Sequence, residues 1–239
     1  MGRYSEMSGF YDVIMTSGYY DYPKIVDGLI NGHPVANVLE LGCGTGLIIE
    51  ELAKRRPQTA ITGVDLTPEM LAIAQDRLSP FANVKLFQQN VCELDLHAQH
   101  DLVFSYGGVW YFVVQKGHEP FMVSHIADHE DNLKGLEKLA ACIAPGGRLM
   151  LGTQGPHFNY ERPISNGMVY SQVIEPTEIG FTKHYFLDDG ARRVMSQTIH
   201  YRTYTFAQAC DMLKPWGIEF DGLAHHHDEG GMFMGFSKS

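Results

Sequence analysis

The spacing of apolar residues divides the chain into short strands and amphipathic helices. Between residues 37 and 152 short apolar runs alternate with segments whose apolar residues recur at helical spacing. Alternating strands and helices predict a doubly wound, mostly parallel sheet with right-handed crossovers. The predicted strands are 38–41, 60–64, 84–91, 101–105 and 148–152, and the predicted helices are 45–54, 67–78 and 130–143.

The pattern changes after residue 152. Residues 168–174, 181–187 and 193–204 are rich in β-branched and aromatic residues, and Asp189-Gly190 is a hairpin signal between the last two runs. These runs predict an antiparallel insertion. A final helix at 206–213 and a closing hairpin of 218–223 with 232–237 are predicted after it.

Five tyrosines lie between residues 4 and 30. One interpretation is an amphipathic helical cap whose rings belong to the core. The other is a helical lid whose tyrosines cover a bound cofactor and bring hydroxyl groups to its partner. The residue pattern leaves both open.

The first predicted strand ends in a glycine-rich turn. Gly42, Gly44 and Gly46 allow a ligand to approach the backbone, and the following helix directs free N–H groups at the same place. Asp65 ends the second predicted strand, nineteen positions after Gly46, where a carboxylate can accept hydrogen bonds from both hydroxyls of a ribose. Turn and carboxylate together predict a nucleoside cofactor.

The position of a third glycine separates the possible cofactors. A dinucleotide fingerprint requires glycine where this chain has Leu47. The pattern E-x-G-x-G-x-G, present as Glu40, Gly42, Gly44 and Gly46, instead resembles motif I of the class I S-adenosylmethionine-dependent methyltransferases. An NAD-binding site, or a glycine turn with only a structural role, are the alternatives.

This resemblance covers residues 37–152, and Pro145-Gly146-Gly147 is also typical of the family. It implies S-adenosyl-L-methionine as cofactor, S-adenosyl-L-homocysteine as product, and a seven-stranded Rossmann-like sheet with a C-terminal antiparallel hairpin. At this length we expect one domain. Its predicted parts are an N-terminal lid (1–32), a cofactor-binding core (33–152), the β-rich insertion (153–204) and a C-terminal helix and hairpin (205–239).

The resemblance also implies which residues bind the cofactor. Leu66 and Met70 would lie near the adenine, although Met70 could equally be a core residue. Asn90 would meet the adenine amino group with its carbonyl oxygen. The predicted cofactor-binding residues are Tyr22, Glu40, Gly42, Cys43, Gly44, Gly46, Asp65, Leu66, Met70, Asn90, Val91, Ser105 and Tyr106.

Two further segments, 10–22 and 230–235, look like bacterial natural-product N-methyltransferases, notably those acting on nucleotide-linked amino sugars. That resemblance implies that Tyr11 and Tyr111 lie at the catalytic centre. Those enzymes have a Trp- and Pro-rich segment where this chain has 152–160. We therefore expect an aromatic or heteroaromatic acceptor, bound by the rings of Trp110, Phe158 and Tyr160.

Composition and charge exclude some classes of methyl acceptor and partner. The net charge of −10 and the lack of a basic cluster disfavour nucleic acid, and residues 104–107 lack the motif of nucleobase methyltransferases. The four cysteines have no metal-binding spacing, and adjacent His225–His227 cannot all meet one ion, so no metal is predicted. Without a signal peptide or spanning segment, we expect a cytoplasmic monomer or homodimer with no membrane partner.

The predicted function is methyl transfer to a nitrogen or oxygen of a small specialised metabolite. Positioning contributes most in such a displacement, and a base matters only if the acceptor keeps its proton. Tyr11, Tyr111 or one of the histidines His157, His184 and His200 could be that base. The alternative is a cofactor-binding protein of the same fold that does not methylate, either a cyclase or a regulator.

Overall fold

The computed structural model describes residues 4–30, 35–224 and 232–239. Its helices are α1 Ser8–Met15, α2 Tyr22–Ile30, α3 Leu47–Arg55, α4 Pro68–Leu78, α5 His129–Ala141 and α6 Phe206–Leu213. Its strands are β1 Asn37–Leu41, β2 Ala60–Asp65, β3 Val84–Gln88, β4 His100–Ser105, β5 Trp110–Val113, β6 Phe121–Ser124, β7 Ile143–Gln154, β8 Tyr160–Pro163, β9 Val169–Thr177, β10 Gly180–Asp189, β11 Arg192–Thr205, β12 Ile218–Ala224 and β13 Phe233–Lys238.

Seven strands form the central sheet. Strands β3, β2, β1, β4 and β7 are parallel neighbours in that order, β13 pairs antiparallel with β7, and β12 pairs antiparallel with β13. This is the doubly wound, mostly parallel sheet with a C-terminal hairpin that the sequence predicts. The fold class is therefore confirmed.

Strand β1 shows how the sheet is covered on both faces. Val38 packs into an apolar cluster with α2, α3 and α4, whereas Leu39 and Leu41 pack into a second cluster with α5 and α6. Alternate residues of a strand point to opposite faces. A short strand that is apolar at both sets of positions is consequently buried between two helical layers.

A second, antiparallel branch leaves the central sheet at the end of β7. Thr153 and Gln154 pair with β5, and the strands continue in the order β5, β6, β11, β10, β9, β8. The predicted insertion and its hairpin at Asp189-Gly190 are confirmed, because β10 and β11 pair antiparallel up to Asp189 and Arg192. Strands β5 and β6 were not predicted. Every residue of β5 is buried, so it lacks the alternation that identifies a half-buried strand.

Two predicted boundaries were also wrong. Strand β3 ends at Gln88, short of residue 91, because Val91–Glu93 forms a 3₁₀ turn in which the Asn90 side chain accepts a hydrogen bond from the Cys92 N–H. Strand β7 begins at Ile143, before the Pro-Gly-Gly turn. Between the pairs His100–Ile143 and Leu102–Arg148 its register shifts, and this shift accommodates the turn within the strand.

A third apolar cluster joins the N-terminal helices to the second branch. Met7, Ile14 and Met15 pack with tyrosines of β5, β10 and β11. The N-terminal segment therefore lies over the place where the two branches separate. None of the helices in the described residues is long and apolar enough to cross a membrane.

Candidate cofactor and acceptor site

One large cleft, about 980 Å³ counted with its open mouth, lies where the two branches of the sheet separate. The residues that line it come from the carboxyl ends of β1 to β4, from the N-terminal helices and from the second branch. They are Tyr4, Met7, Tyr11, Met15, Tyr19, Tyr20, Leu41, Gly42, Gly44, Val64, Asp65, Leu66, Thr67, Met70, Gln89, Val91, Gly107, Gly108, Val109, Tyr111, His125, Gln154, Tyr170, Lys183, Tyr185 and Tyr201.

One end of the cleft, the cofactor end, is formed by the glycine turn. Gly42 has a φ of 73°, and a Cβ added there would lie 2.9 Å from the Gly108 Cα. Gly46 has a φ of 81°, and its added Cβ would lie 2.8 Å from a methyl group of Leu78. Both positions combine a left-handed backbone with a close neighbour, so only glycine suits them. The turn keeps its shape and leaves backbone open to the cleft.

Asp65 is held rigidly at the same end. One carboxylate oxygen accepts from the Gly44 N–H and the other from the Thr67 N–H, each at 2.8 Å. A carboxylate has about four acceptor sites, so these two bonds leave acceptor capacity for the hydroxyls of a ribose. Burial raises the pKa of Asp65, and the backbone hydrogen bonds lower it. The ribose role predicted for Asp65 is compatible with this geometry.

Glu40 lies buried below the turn with one carboxyl oxygen, Oε2, that has no hydrogen-bond partner. Burial raises the pKa of Glu40 well above its usual value, and the charge of Asp65 raises it further. A buried oxygen without a partner is costly unless a ligand or water satisfies it. Glu40 does not line the cleft, so this oxygen lies beneath the site, and the backbone of the glycine turn and Asp65 are the groups that a nucleoside can reach.

The structure brings only part of the predicted cofactor set to the cleft. Gly42, Gly44, Asp65, Leu66, Met70 and Val91 line it, whereas Tyr22, Glu40, Cys43, Gly46, Asn90, Ser105 and Tyr106 do not. Ser105 supports the loop after β4, because its Oγ accepts from the Val109 N–H at 3.0 Å. Tyr106 packs edge-on against Tyr20 and Phe233. These residues shape the wall from behind.

The other end, the acceptor end, consists of side chains from the lid and the second branch. Tyr11 lies at the junction, since a Cβ added to Gly44 would meet its ring at 3.8 Å. Tyr111 presents its ring edge-on to His125, with 6.0 Å between centroids. The two tyrosines predicted to be catalytic therefore line one cleft with the glycine turn.

Burial controls the protonation of this end. It raises the pKa of both Tyr11 and Tyr111 well above the usual value for a phenol. It also lowers the pKa of His125 to about 3. The two hydroxyls are consequently neutral at physiological pH, and the imidazole is neutral and a weak base. They are suited to hydrogen bonding and orienting an acceptor.

The three predicted acceptor-binding rings do not line the cleft. Trp110 is fully buried on the opposite face of β5, where its indole N–H donates to Asn132 Oδ1 at 2.9 Å. The prediction missed this because alternate residues of β5 face opposite ways, and Tyr111 is the one that faces the cleft. Phe158, 66% exposed, and Tyr160 line a separate groove of about 880 Å³ beside it.

The histidines that were candidate bases also lie elsewhere. His157 lines that groove and bonds to Gln154 Oε1 through Nε2 at 3.1 Å. His184 and His200 bond to threonine hydroxyls on neighbouring strands. The segment containing His225–His227, with Gly230-Gly231, lies outside the described residues.

Sequence reasoning missed His125, Lys183, Tyr185 and Tyr201 at the acceptor end. One signal was available. In β10 the period of two places Lys183 on the same face as Tyr185 and Leu187, and a lysine among buried apolar positions is unusual. His125 follows the unpredicted strand β6, so no pattern pointed to it.

The lid is fixed to the cofactor end by a polar cluster. Asp12 of α1 accepts from the Thr45 hydroxyl at 2.6 Å and forms an ion pair with Arg77, whose Nε donates to the Thr45 carbonyl at 2.9 Å. Ser17 bonds to Ser165 of the second branch at 2.9 Å. The same segment buries Ile14 and Met15, and its tyrosines pack against that core cluster, as the first interpretation predicts. Four of the five tyrosines also line the cleft, and their covering of a cofactor stays a prediction.

Comparison with known proteins finds similarity to methyltransferases over part of the chain. Residues 38–147 match the family described as a methyltransferase domain. A curated relative, malonyl-acyl-carrier-protein O-methyltransferase 2 of Ilyobacter polytropus, is 24% identical over 58% of this chain and 49% of its own. The chain thus spans about half the length of that relative.

Solved structures match over nearly the whole chain. CalS10, an amino pentose methyltransferase of Micromonospora echinaspora solved with S-adenosylmethionine, has a TM-score of 0.67 at 19% identity, with 96% of this chain and 97% of that chain covered. DesVI of Streptomyces venezuelae has a TM-score of 0.70 at 17% identity, with 97% of each chain covered. These similarities show the fold.

Proposed function

We propose that this chain, whose residues 38–147 match a family described as a methyltransferase domain, moves a methyl group from S-adenosyl-L-methionine to a nitrogen or oxygen of a small molecule. The observation that carries the proposal is the single cleft, in which the glycine turn and Asp65 lie at one end and Tyr11, Tyr111 and His125 at the other. Donor and acceptor would meet at Tyr11, where the ends join.

The acceptor in this proposal is a flat ring compound of specialised metabolism. Eight tyrosines and His125 line the cleft, and aromatic rings gain from offset or edge-on contact with such walls. By their names, one similar protein is an amino pentose methyltransferase and another is a malonyl-acyl-carrier-protein O-methyltransferase, so these similarities do not fix the acceptor atom. The walls of this cleft are the better guide.

The residues of the chain act by positioning. The bound cofactor supplies a methyl group on a positively charged sulfur. Tyr11 and Tyr111, both neutral, hydrogen-bond the acceptor and hold its nucleophilic atom in line with that methyl group. The lid excludes water, which strengthens each of these contacts.

Titration calorimetry with S-adenosyl-L-homocysteine tests the cofactor assignment. We expect micromolar binding to the native protein and a loss of about tenfold or more in Asp65→Ala, because that variant removes the ribose acceptor. Asp76→Ala, at an exposed site on α4, is the matched control and should bind as the native protein does. Failure of the native protein to bind would overturn the proposal and make NAD and other nucleosides the next ligands to test.

Methyl transfer itself is tested separately. Phenols, amines and N-heterocycles are incubated with the protein and cofactor labelled in its methyl group. Transfer of label to any of them supports the enzyme. A protein that binds the cofactor and never releases its methyl group would instead be the non-methylating binder of the alternative hypothesis.

A further inference from the structure

The acceptor end contains a buried lysine that has no hydrogen-bond or ion-pair partner among the residues that the structure describes. Lys183 of β10 is 3% exposed and lines the cleft. Its backbone pairs opposite Ile199 on β11 and Ile174 on β9. The ammonium lies 5.6 Å from the ring centroid of Phe181 and 5.5 Å from that of Tyr201. The side chain therefore reaches the cleft between aromatic rings and aliphatic side chains.

Among the described residues, none forms a hydrogen bond or ion pair with Lys183. The carboxylate lining the cleft is Asp65, which is at the cofactor end and already bonded to two backbone N–H groups. An unpaired buried ammonium is costly, and natural proteins rarely keep one without a role. Lys183 therefore brings a basic amine to the acceptor end of the cleft, where none of the described lining residues is a carboxylate.

Three titratable groups in the described part of the chain interact with Lys183: Tyr201 of β11, whose ring centroid is 5.5 Å from the ammonium, and His125 and His157, on which the charge of Lys183 acts. Tyr4 of the lid and Tyr111 of β5 pack against His125 and line the same cleft. Burial raises the pKa of these tyrosines and lowers that of both histidines to about 3. The pKa of Lys183 is lowered by burial to about 7. Its amine is thus the group at this end that can gain or lose a proton near neutral pH.

We infer that Lys183 pairs with an anionic acceptor, and that this acceptor is a planar ring acid: a phenol, an enol or an N–H heterocycle. This inference rests on the proposed methyl transfer and narrows its substrate class. A charged group in an aromatic, water-poor site favours a ligand of opposite charge strongly, because the local dielectric is low. The tyrosine walls favour a flat ring to carry that charge.

With Lys183 as the proton acceptor, methyl transfer needs no reactant other than the ring acid and the methyl donor. The O–H or N–H of the acceptor gives its proton to the neutral Lys183 amine, producing a ring anion beside an ammonium. The anion forms a bond to the methyl carbon while the carbon–sulfur bond breaks and its electron pair stays on sulfur. The products are a neutral methylated ring, S-adenosyl-L-homocysteine and the Lys183 ammonium, which returns its proton to water.

The probe for this inference is 4-nitrophenol, whose absorbance distinguishes phenol from phenolate. Its neutral counterpart is 4-nitroanisole, which has the same ring and no acidic proton. Both are titrated into the native protein saturated with S-adenosyl-L-homocysteine, and into Lys183→Met, Lys183→Arg and Lys116→Met. The last variant removes a charge at an exposed loop position and is the matched control.

We expect the native complex to hold 4-nitrophenol as phenolate, and to bind it about tenfold or more tightly than 4-nitroanisole. Lys183→Met should abolish that preference, Lys183→Arg should restore part of it, and Lys116→Met should change nothing. Binding of the probe as neutral phenol, equal affinity for both probes, or no binding of either would overturn the inference.

Two readouts keep the inference separate from the proposed function. Binding of S-adenosyl-L-homocysteine tests the cofactor end in every variant. If the native protein does not bind it, the methyltransferase proposal itself is overturned. If the native protein binds it but shows no preference for the phenolate, only the lysine inference is overturned. The ionisation of the probe bound to native protein needs no variant, so the inference stays testable even if Lys183→Met fails to fold.

Discussion

The two ends of the cleft are built by different means. The cofactor end uses backbone, since the turn 42–46 and the N–H groups that hold Asp65 require glycine and local geometry. The acceptor end uses side chains that strands β5, β10 and β11 bring together with the lid. A backbone site tolerates little change and binds one ligand class. A side-chain site can be altered residue by residue, which is where specificity among related enzymes would be expected to vary.

The sharpest test of the backbone end compares two glycines. Gly42→Ala and Gly44→Ala both place a methyl group at positive φ, but only the first pushes it against backbone, 2.9 Å from the Gly108 Cα. We expect Gly42→Ala to lower the free energy of unfolding by about 3 kcal/mol and Gly44→Ala by about 1 kcal/mol. Urea denaturation measures both. Equal losses would mean that strain at φ, and not the close approach, sets the cost.

At the acceptor end the expected effect has the opposite sign. Lys183→Met should raise the free energy of unfolding by on the order of 3 kcal/mol at pH 7, because it removes a desolvated amine. The pKa is about 7 in the fold and 10.5 when unfolded, so the unfolded chain binds more protons between these values. Stability of the native protein therefore rises with pH across that window, and the advantage of the variant should shrink. Denaturation of both proteins at pH 7 and pH 10 measures this, and a constant difference would contradict it.

Comparing kcat with cofactor affinity distinguishes residues of the acceptor end from residues of the cofactor end. Tyr111→Phe removes a neutral hydroxyl from the acceptor end, so we expect kcat to fall about tenfold while affinity for S-adenosyl-L-homocysteine stays within about twofold. Tyr11→Phe should behave similarly, although its ring lies beside Gly44. Steady-state kinetics and calorimetry together measure the split. Cofactor affinity that falls in step with turnover would assign the tyrosine to the cofactor end.

The smallest predicted effect concerns the lid. Asp12→Asn removes the charge that pairs with Arg77. Because the Asp12 side chain is 38% exposed, we expect this change to make the free energy of cofactor binding less favourable by only about 1 kcal/mol. Such a loss corresponds to about fivefold weaker cofactor binding, mostly through faster dissociation. Asp27→Asn removes an ion pair with Arg55 on the surface and is the control. Equal changes in both variants would show that the lid contact has no special effect on binding.

The same contrast explains what the sequence could and could not predict. Gly42 and Asp65 belong to a continuous motif whose chemistry follows from local geometry, so the cofactor end was accessible from sequence. Trp110 and Tyr111 are neighbours on β5, and only the strand register decides which of them faces the cleft. Lys183 meets His125 through pairings between strands far apart in the chain. No local pattern contains that information.

The pairing of β7 bears on how the acceptor end could change between proteins of this fold. Residues 148–152 of β7 pair with the central sheet, whereas Thr153 and Gln154 pair with β5, so one continuous strand carries both branches. Residues 155–205, which form β8 to β11, could therefore be replaced as a unit while β7 keeps its register in the central sheet, provided that the new segment again pairs with β6. Such an exchange would replace Lys183, Tyr185 and Tyr201 and would leave the glycine turn, Asp65, Tyr111 and His125 in place. A chain built this way could keep its proposed methyl-donor site and change one side of its acceptor end.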